Sequence, residues 1–511
     1  MRAAERVAAV APWLRRHPGL TAFLLGALQS QAFAPRSIWP LGILCLAGLF
    51  WLWLGATPGR AARTAFAFAA GLFFAGTYWL YMSIHVFGQA PIVLALILMA
   101  GLVVIMATQA AAWAWLLAKI RPAADLPTLL AVYPAGWVLM EWMRGWFLSG
   151  FPWLALGYSG LDTWIVGLAP VVGIYGVSLA AAVTAGALIA YVRANRRTRL
   201  VLEIGVPLLW AVGALLTRVE WTRPTGAPVG VAIVQGAISQ DLKWQEQNRD
   251  HTLEVYRSMT LSALGTPIIV WPEAALPMVF NDAIPYLKSI YVAAREKHSD
   301  LVLGLLHVDP ETQQYKNGII ALGDDAEWYD KRRLVPFGEF FPVPPFVRSW
   351  MRLRNLTYVD LAPGEEGQGP LDAAGQKLGA TICYEDAYAV EQLAVLKTAT
   401  LLVNVTNDAW FGDSSAPHQH MQIARMRAIE AGRWLIRATN NGVSAFIDPH
   451  GHIVKASRQF VPEVLRGEVV PYTGLTPYAI VRNWPVLGAC VALVAVFAWR
   501  GRRRRGGEGR R

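Results

Sequence analysis

The chain has 511 residues, of which 55% are hydrophobic and 16% charged, with a mean hydropathy of +0.35 and a formal net charge of +11. That length exceeds one ordinary domain, and that apolar bias excludes a purely water-soluble protein. The basic excess does not mark a nucleic-acid binder: much of it lies in the tail Arg500-Gly-Arg-Arg-Arg-Arg505 and in short loops between apolar runs, and no basic face is interleaved with aromatics.

In chain order, apolar runs lie near residues 19–35, 38–56, 63–86, 90–118, 126–148, 166–192 and 200–217, with an eighth near 479–499. Most are about 20 residues or more, long enough to cross a bilayer as helices. Pro35 and Pro40 blur the boundary between the first two. No cleaved signal peptide is expected, because further spans follow the first and no small-residue cleavage site stands out. Arg2, Arg6, Arg15 and Arg16 precede the first run, and Arg60, Arg63, Lys119, Arg121, Arg193, Arg196, Arg197 and Arg199 fall in every second loop after it. The intervening loops hold chiefly Arg36 and Arg144. This asymmetry predicts both termini in the cytoplasm and residues 220–475 outside it.

The outside stretch reads differently. Short β-rich runs (Val229–Gln235, Pro267–Glu273, Leu301–Leu306, Asn317–Leu322, Gln376–Cys383, Thr400–Asn407, Trp434–Asn440, Gly442–Asp448) alternate with helical patterns near 245–263, 282–297, 386–398 and 417–432. The spacing predicts a layered α/β domain with its own core. The expected organisation is helices one to seven in 1–219, the extracytoplasmic domain in 220–475, and a last helix with a basic tail in 476–511. Of the 3 cysteines, Cys45 and Cys490 lie in apolar runs and read as packing residues, so Cys383 is the one thiol of the α/β stretch and no disulfide can form within it.

Three segments at predicted strand ends concentrate polar chemistry. Trp271-Pro-Glu273 supplies a carboxylate after an apolar strand, Tyr329-Asp-Lys-Arg-Arg-Leu-Val-Pro-Phe-Gly-Glu339 supplies Lys331 and Glu339, and Ile382-Cys-Tyr-Glu385 supplies a thiol and a carboxylate. A Glu that takes a thiol proton, and an ammonium that lowers the thiol pKa and stabilises an oxyanion, would make such a Cys a nucleophile. Singly, each residue has a plain reading: a small buried hydrophobe, a loop carboxylate, part of a solvated charge run.

Together, in this order, the segments resemble the nitrilase or carbon–nitrogen hydrolase superfamily over most of residues 225–470. The helical runs on either side make the chain similar to the membrane-embedded N-acyltransferase branch of that superfamily. The resemblance implies about eight transmembrane helices with a nitrilase-like αββα sandwich inserted before the last. It implies a catalytic set of Glu273 as base, Lys331 as electrostatic stabiliser and Cys383 as nucleophile, supported by Glu339, Tyr384 and Glu385. Trp244 matches a functional tryptophan after the first strand. Asn317 fits a polar position before a strand, where a plain turn residue serves equally. The implied reaction is ping-pong transfer of a fatty acyl chain from the sn-1 ester of a phospholipid, usually phosphatidylethanolamine, through a Cys383 thioester. The acceptor is the α-amine of a diacylglyceryl-cysteine at an apolipoprotein N-terminus, in a bacterial inner membrane with the catalytic domain periplasmic. No cofactor or metal enters that reaction. A membrane-tethered amidase or nitrilase, transferring its acyl group to water, stays open as the alternative.

Apolar loops near the motif suggest a lid and acyl path: Phe337, Phe340, Phe341, Phe346 and Trp350 after Lys331, with Trp410 and Phe411 elsewhere. Phe341 and Trp350 are the substrate-contact candidates among them, against ordinary core packing. Glu141 and Arg144, one helical turn apart near the end of the fifth run, are candidates as intramembrane ionisable residues or a mutual pair. His418, His420, His450 and His452 lack the third ligand a catalytic metal needs, and turn or surface roles are expected.

Overall fold

In the computed structural model, residues 16–121, 123–341, 346, 349 and 360–508 are described. They divide into two compact units. One comprises the described residues up to 219 with 413–422 and 480–508, the other those within 220–412 and 423–479.

Each of the eight apolar runs carries a helix: Pro18–Gln29, Pro40–Trp53, Pro58–Gly76, Ile92–Ile120, Tyr133–Arg144, Ala169–Arg193, Arg196–Leu216 and Trp484–Glu508. Three of them begin at proline, whose fixed φ and missing N–H suit a first turn. Among the described residues, Ile92–Ile120, Trp164–Arg193 and Arg196–Leu216 are long and apolar enough to cross a membrane. The fifth run forms a shorter regular helix than its length predicts, because a π turn over Thr128–Val132 precedes Pro134. The helices Pro18–Gln29 and Pro58–Gly76 cross at reciprocal glycines. A Cβ on Gly26 would lie 1.8 Å from the Phe68 carbonyl oxygen, and one on Gly71 would lie 2.0 Å from that of Phe23. Only backbone contact fits there. Glu141 is buried and accepts from Trp137 Nε1 and Leu156 N, each at 2.8 Å, while the Arg144 guanidinium lies 5.0 Å from the Phe73 ring centroid. Cys45 and Cys490 are buried thiols.

The segment 413–422 belongs to this helical unit. Gln419 Oε1 accepts from Trp79 Nε1 at 3.2 Å and Trp153 Nε1 at 2.7 Å, and Gln422 Oε1 accepts from Ala34 N at 3.3 Å. His420 packs against the Trp153 ring.

The second unit is built on β1 (Arg223–Pro224), β2 (Val229–Gln235), β3 (Ile268–Val270), β4 (Asp300–Val308), β5 (Tyr315–Leu322), β6 (Ala326–Asp330), β7 (Leu371–Ala373), β8 (Gln376–Ile382), β9 (Leu401–Thr406), β10 (Leu435–Thr439), β11 (Ala445–Ile447), β12 (Ile453–Ala456), β13 (Glu463–Val469) and β14 (Tyr472–Thr473). Two six-stranded sheets run β13-β2-β3-β4-β5-β6 and β12-β11-β10-β9-β8-β7, and β1 pairs with β14. Strands β2, β3 and β4 are mutually parallel, as are β8, β9 and β10. Such strands are buried on both faces, which is why their sequences are nearly continuous apolar runs. Val231, Ile233 and Val270 of one sheet share a core with Leu378, Val403 and Ile436 of the other. Ala232, Val234 and Leu303, on the opposite face of the first sheet, pack under the helices Arg249–Ala263 and Phe280–Glu296. The result is a nitrilase-like layered α/β fold in which the parallel strands point their carboxyl ends the same way, the usual place for a site in such sheets.

The helical pattern near 386–398 is broken: residues Cys383–Ala387 form a 3₁₀ turn, followed by the short helix Ala389–Leu393. The Glu385 carboxylate takes the Ile382 N–H at 2.7 Å, so the chain is bound into a turn where periodicity alone predicts a helix.

Candidate active site

Glu273 stands just past β3, Lys331 directly after β6, Cys383 directly after β8, and Asn407 and Asp408 directly after β9. Hydrogen bonds fasten these ends to one another. Glu273 Oε1 accepts from Asn317 Nδ2 at 2.8 Å and from Lys331 Nζ at 3.0 Å, and Oε2 accepts from Asn407 N at 2.9 Å. Lys331 Nζ also donates to Glu339 Oε1 at 2.7 Å, and Glu339 Oε2 takes the Val335 N–H at 2.8 Å. The ammonium is thus clamped between two carboxylates while only 1% exposed. Burial alone would drive its pKa down, but Glu273 and Glu339 outweigh burial and hold it well above the ordinary lysine value.

Cys383 adopts φ +51°, a left-handed backbone that costs a non-glycine residue about 1–3 kcal/mol and turns its side chain out of the strand direction. Its thiol lies in the electrostatic field of both Glu273 and Lys331. Burial pushes the thiol well above its usual range and the Glu273 charge adds to that. Lys331 and a hydrogen bond from the Thr406 hydroxyl act the other way without overcoming it. The ammonium therefore does lower the thiol pKa, as the residue types predict, but the net shift is upward and the resting sulfur carries its proton. Such a thiol would become a nucleophile only on losing its proton to a neighbouring base.

Glu385 ties the Lys331 segment to the Cys383 segment. Its carboxylate accepts from Ile382 N at 2.7 Å, Arg332 N at 2.6 Å, Arg333 N at 3.2 Å and Tyr329 OH at 3.1 Å. Tyr384 packs edge-on against Tyr388, with ring centroids 5.2 Å apart. Asn317 sits within β5 with its amide between Glu273 and Glu339, the latter at 3.1 Å. Trp244 is 51% exposed at the end of the short helix Gln240–Lys243. Phe341 is half-buried, its N–H bonded to Asp360 Oδ1 at 3.0 Å and its ring against Phe337, while Trp350 lies outside the described residues. His450 and His452 pair with Glu220 and Asp448.

Several residues of the site carry no motif. Arg437, fully buried on β10, donates to Asn404 Oδ1 at 2.7 Å, Asp386 Oδ2 at 3.3 Å and Asp408 Oδ2 at 3.1 Å. Asn404 in turn donates to the Cys383 carbonyl at 3.4 Å. A lone arginine in Leu435-Ile-Arg-Ala-Thr439 was the available signal, since a charge in a buried strand requires buried partners.

A thiol, an ammonium and a carboxylate held at strand ends of a two-sheet α/β sandwich define a carbon–nitrogen hydrolase domain, and residues 230–478 match the model for carbon–nitrogen hydrolases. Residues 25–187 match the model for the apolipoprotein N-acyltransferase N-terminal domain. The chain is 39% identical over 493 residues to an apolipoprotein N-acyltransferase of Methylococcus capsulatus, covering 96% of this chain and 98% of that one. It is 41% identical over 508 residues to one of Azotobacter vinelandii, covering 97% and 98%. A solved CN-hydrolase superfamily protein from Xanthomonas campestris aligns at 17% identity with a TM-score of 0.37, over 52% of this chain and 97% of that one. The chain belongs to the apolipoprotein N-acyltransferase family.

Proposed function

We propose that this acyltransferase works by ping-pong transfer through Cys383, taking a fatty acyl chain from the sn-1 ester of a phospholipid such as phosphatidylethanolamine. The acceptor is the α-amine of a diacylglyceryl-cysteine at the N-terminus of an apolipoprotein. Glu273 is the base, Lys331 the oxyanion stabiliser and Cys383 the nucleophile. Glu339 holds Lys331, and Glu385 and Tyr384 support the thiol segment. Trp244, Asn317, Phe341 and Trp350 are the proposed substrate contacts. We read the eight apolar helices as membrane spans, with both termini cytoplasmic and residues 220–475 as the catalytic domain on the periplasmic side of the inner membrane.

The observation that carries this reading is the Lys331 ammonium bridging Glu273 and Glu339, within the electrostatic reach of the Cys383 thiol. As Sγ attacks the ester carbon, its proton passes to Glu273, and the carbonyl oxygen gains negative charge next to Lys331. Collapse breaks the ester C–O bond, and Glu273 returns the proton to the departing lysophospholipid oxygen. A thioester remains. The incoming amine then attacks the same carbon, its proton travels through Glu273 to the sulfur, and the amide leaves with the thiol restored. Water must be excluded between the two halves, or the thioester hydrolyses.

The test is incubation of the full-length enzyme with phospholipid, followed by mass analysis of the Cys383 peptide. A fatty-acyl adduct, absent in Cys383→Ala, is expected. Acylation only by small amides or nitriles would instead make the chain a tethered hydrolase.

A further inference from the structure

One amine of the site takes no part in that scheme. Lys243 ends the short helix Gln240–Lys243 beyond β2, has no exposed surface, and its Nζ has no hydrogen-bond partner among the described residues. The turn is not free to swing it elsewhere. Asn407 Nδ2 donates to Gln240 Oε1 at 2.8 Å, and Asn440 Oδ1 accepts from Ile238 N at 3.0 Å while its Nδ2 donates to Ile238 O at 2.7 Å. The same Asn407 gives its backbone N–H to Glu273. Glu273 is the charge whose field reaches Lys243, and its Oε1 is already engaged by Lys331. Asp241, on the same turn, is taken by the Ser239 hydroxyl at the surface. The other ionisable groups nearby, Glu339, Asp408 and the Cys383 thiol, are engaged with Lys331, Arg437 and Thr406 respectively.

A buried ammonium with no acceptor is costly, so such a group either meets a ligand or gives up its proton. Burial draws Lys243 down to about 8, with Glu273 opposing. Peptide α-amines titrate in nearly the same range, about 7.7–8.0.

We propose that Lys243 accepts the proton of the acceptor's α-ammonium and so prepares that amine for attack on the Cys383 thioester. This rests on the aminolysis half of the acyl-carrier reading. The acceptor arrives as R–NH₃⁺. Two cationic amines side by side repel, so the pair holds one proton fewer than it would apart. Lys243, having released its own proton to solvent, takes one from the α-ammonium, leaving R–NH₂ with a free electron pair. That pair forms the N–C bond while the C–S bond breaks. The second N–H proton goes to Glu273 and then to sulfur. Lys243 returns its proton to solvent between turnovers.

The test loads full-length enzyme in detergent with labelled acyl chain from phospholipid, then offers a diacylglyceryl-cysteine peptide or hydroxylamine, an amine already neutral at pH 7. In Lys243→Met the ratio of peptide-acylation rate to thioester-formation rate is expected to fall about 10²-fold at pH 7, the size of a lost general base. Cleavage of the thioester by hydroxylamine should fall far less, and raising the pH past the α-amine range should recover the peptide reaction. Lys243→Arg keeps bulk and charge but cannot accept a proton, and is expected to show the same split if the methionine variant does not fold. An equal fall in thioester formation would make Lys243 merely structural, and an unchanged ratio would assign the proton to Glu273 or solvent; either overturns the proposal. If the wild-type enzyme forms no thioester at all, the acyl-carrier reading itself falls, a result distinct from both.

Discussion

Cys383 is surrounded by opposing influences, and their balance has a measurable sign. Burial and Glu273 raise its pKa, while Lys331 and Thr406 lower it. The thiolate fraction therefore grows only as pH climbs beyond the ordinary thiol range, and alkylation of Cys383 by iodoacetamide should keep rising through pH 9. Removing the Lys331 charge (Lys331→Met) should move that rise to still higher pH, and Glu273→Gln should move it lower. A plateau near neutral pH would contradict the resting thiol. Glu273, Lys331 and Cys383 could be singled out in the sequence because their three segments together resemble a known pattern, whereas each alone reads as a packing, loop or surface residue. Lys243 and Arg437 could not be singled out, because their meaning lies in partners from other strands, or in the lack of one among the described residues. Lys243 in Gln240-Asp-Leu-Lys-Trp244 looks like any surface lysine until its burial is known.

The longer buried strands were the most legible elements. Strands β2, β4, β8, β9 and β10, largely buried, are rich in apolar residues and fall where the sequence predicts them, within a residue or two. β12, exposed along its whole length, and β6, mostly half-exposed, carry no such pattern, and neither was anticipated. Among the helices, hydropathy located each run but could not see what joins them. The Pro18–Gln29 and Pro58–Gly76 pair depends on backbone approach at Gly71, where a Cβ would meet the Phe23 carbonyl at 2.0 Å. Gly71→Ala should destabilise the detergent-solubilised protein by about 3 kcal/mol, at the upper end of overpacking costs, read as a lowered thermal midpoint. Gly101→Ala, where a Cβ meets nothing within 4 Å, should be neutral or slightly stabilising. Equal midpoints for the two variants would deny the close crossing.

At the scale of the whole molecule, the order of the two units along the chain was readable from where hydropathy falls and strand patterns begin. The membership of residues 413–422 was not. That segment lies in the midst of an α/β sequence, and its attachment to the helical unit depends on amide contacts of Gln419 and Gln422 that no local pattern records. The consequence appears during synthesis. Residues before 220 are made first, and the Trp153 indole is made 266 residues before the Gln419 amide oxygen to which it donates. At about 5–20 residues per second, that is on the order of 10–50 seconds. The helices of the first unit must persist that long without the 413–422 segment, and the completed bundle certifies that the α/β stretch has been translated at least as far as Gln422.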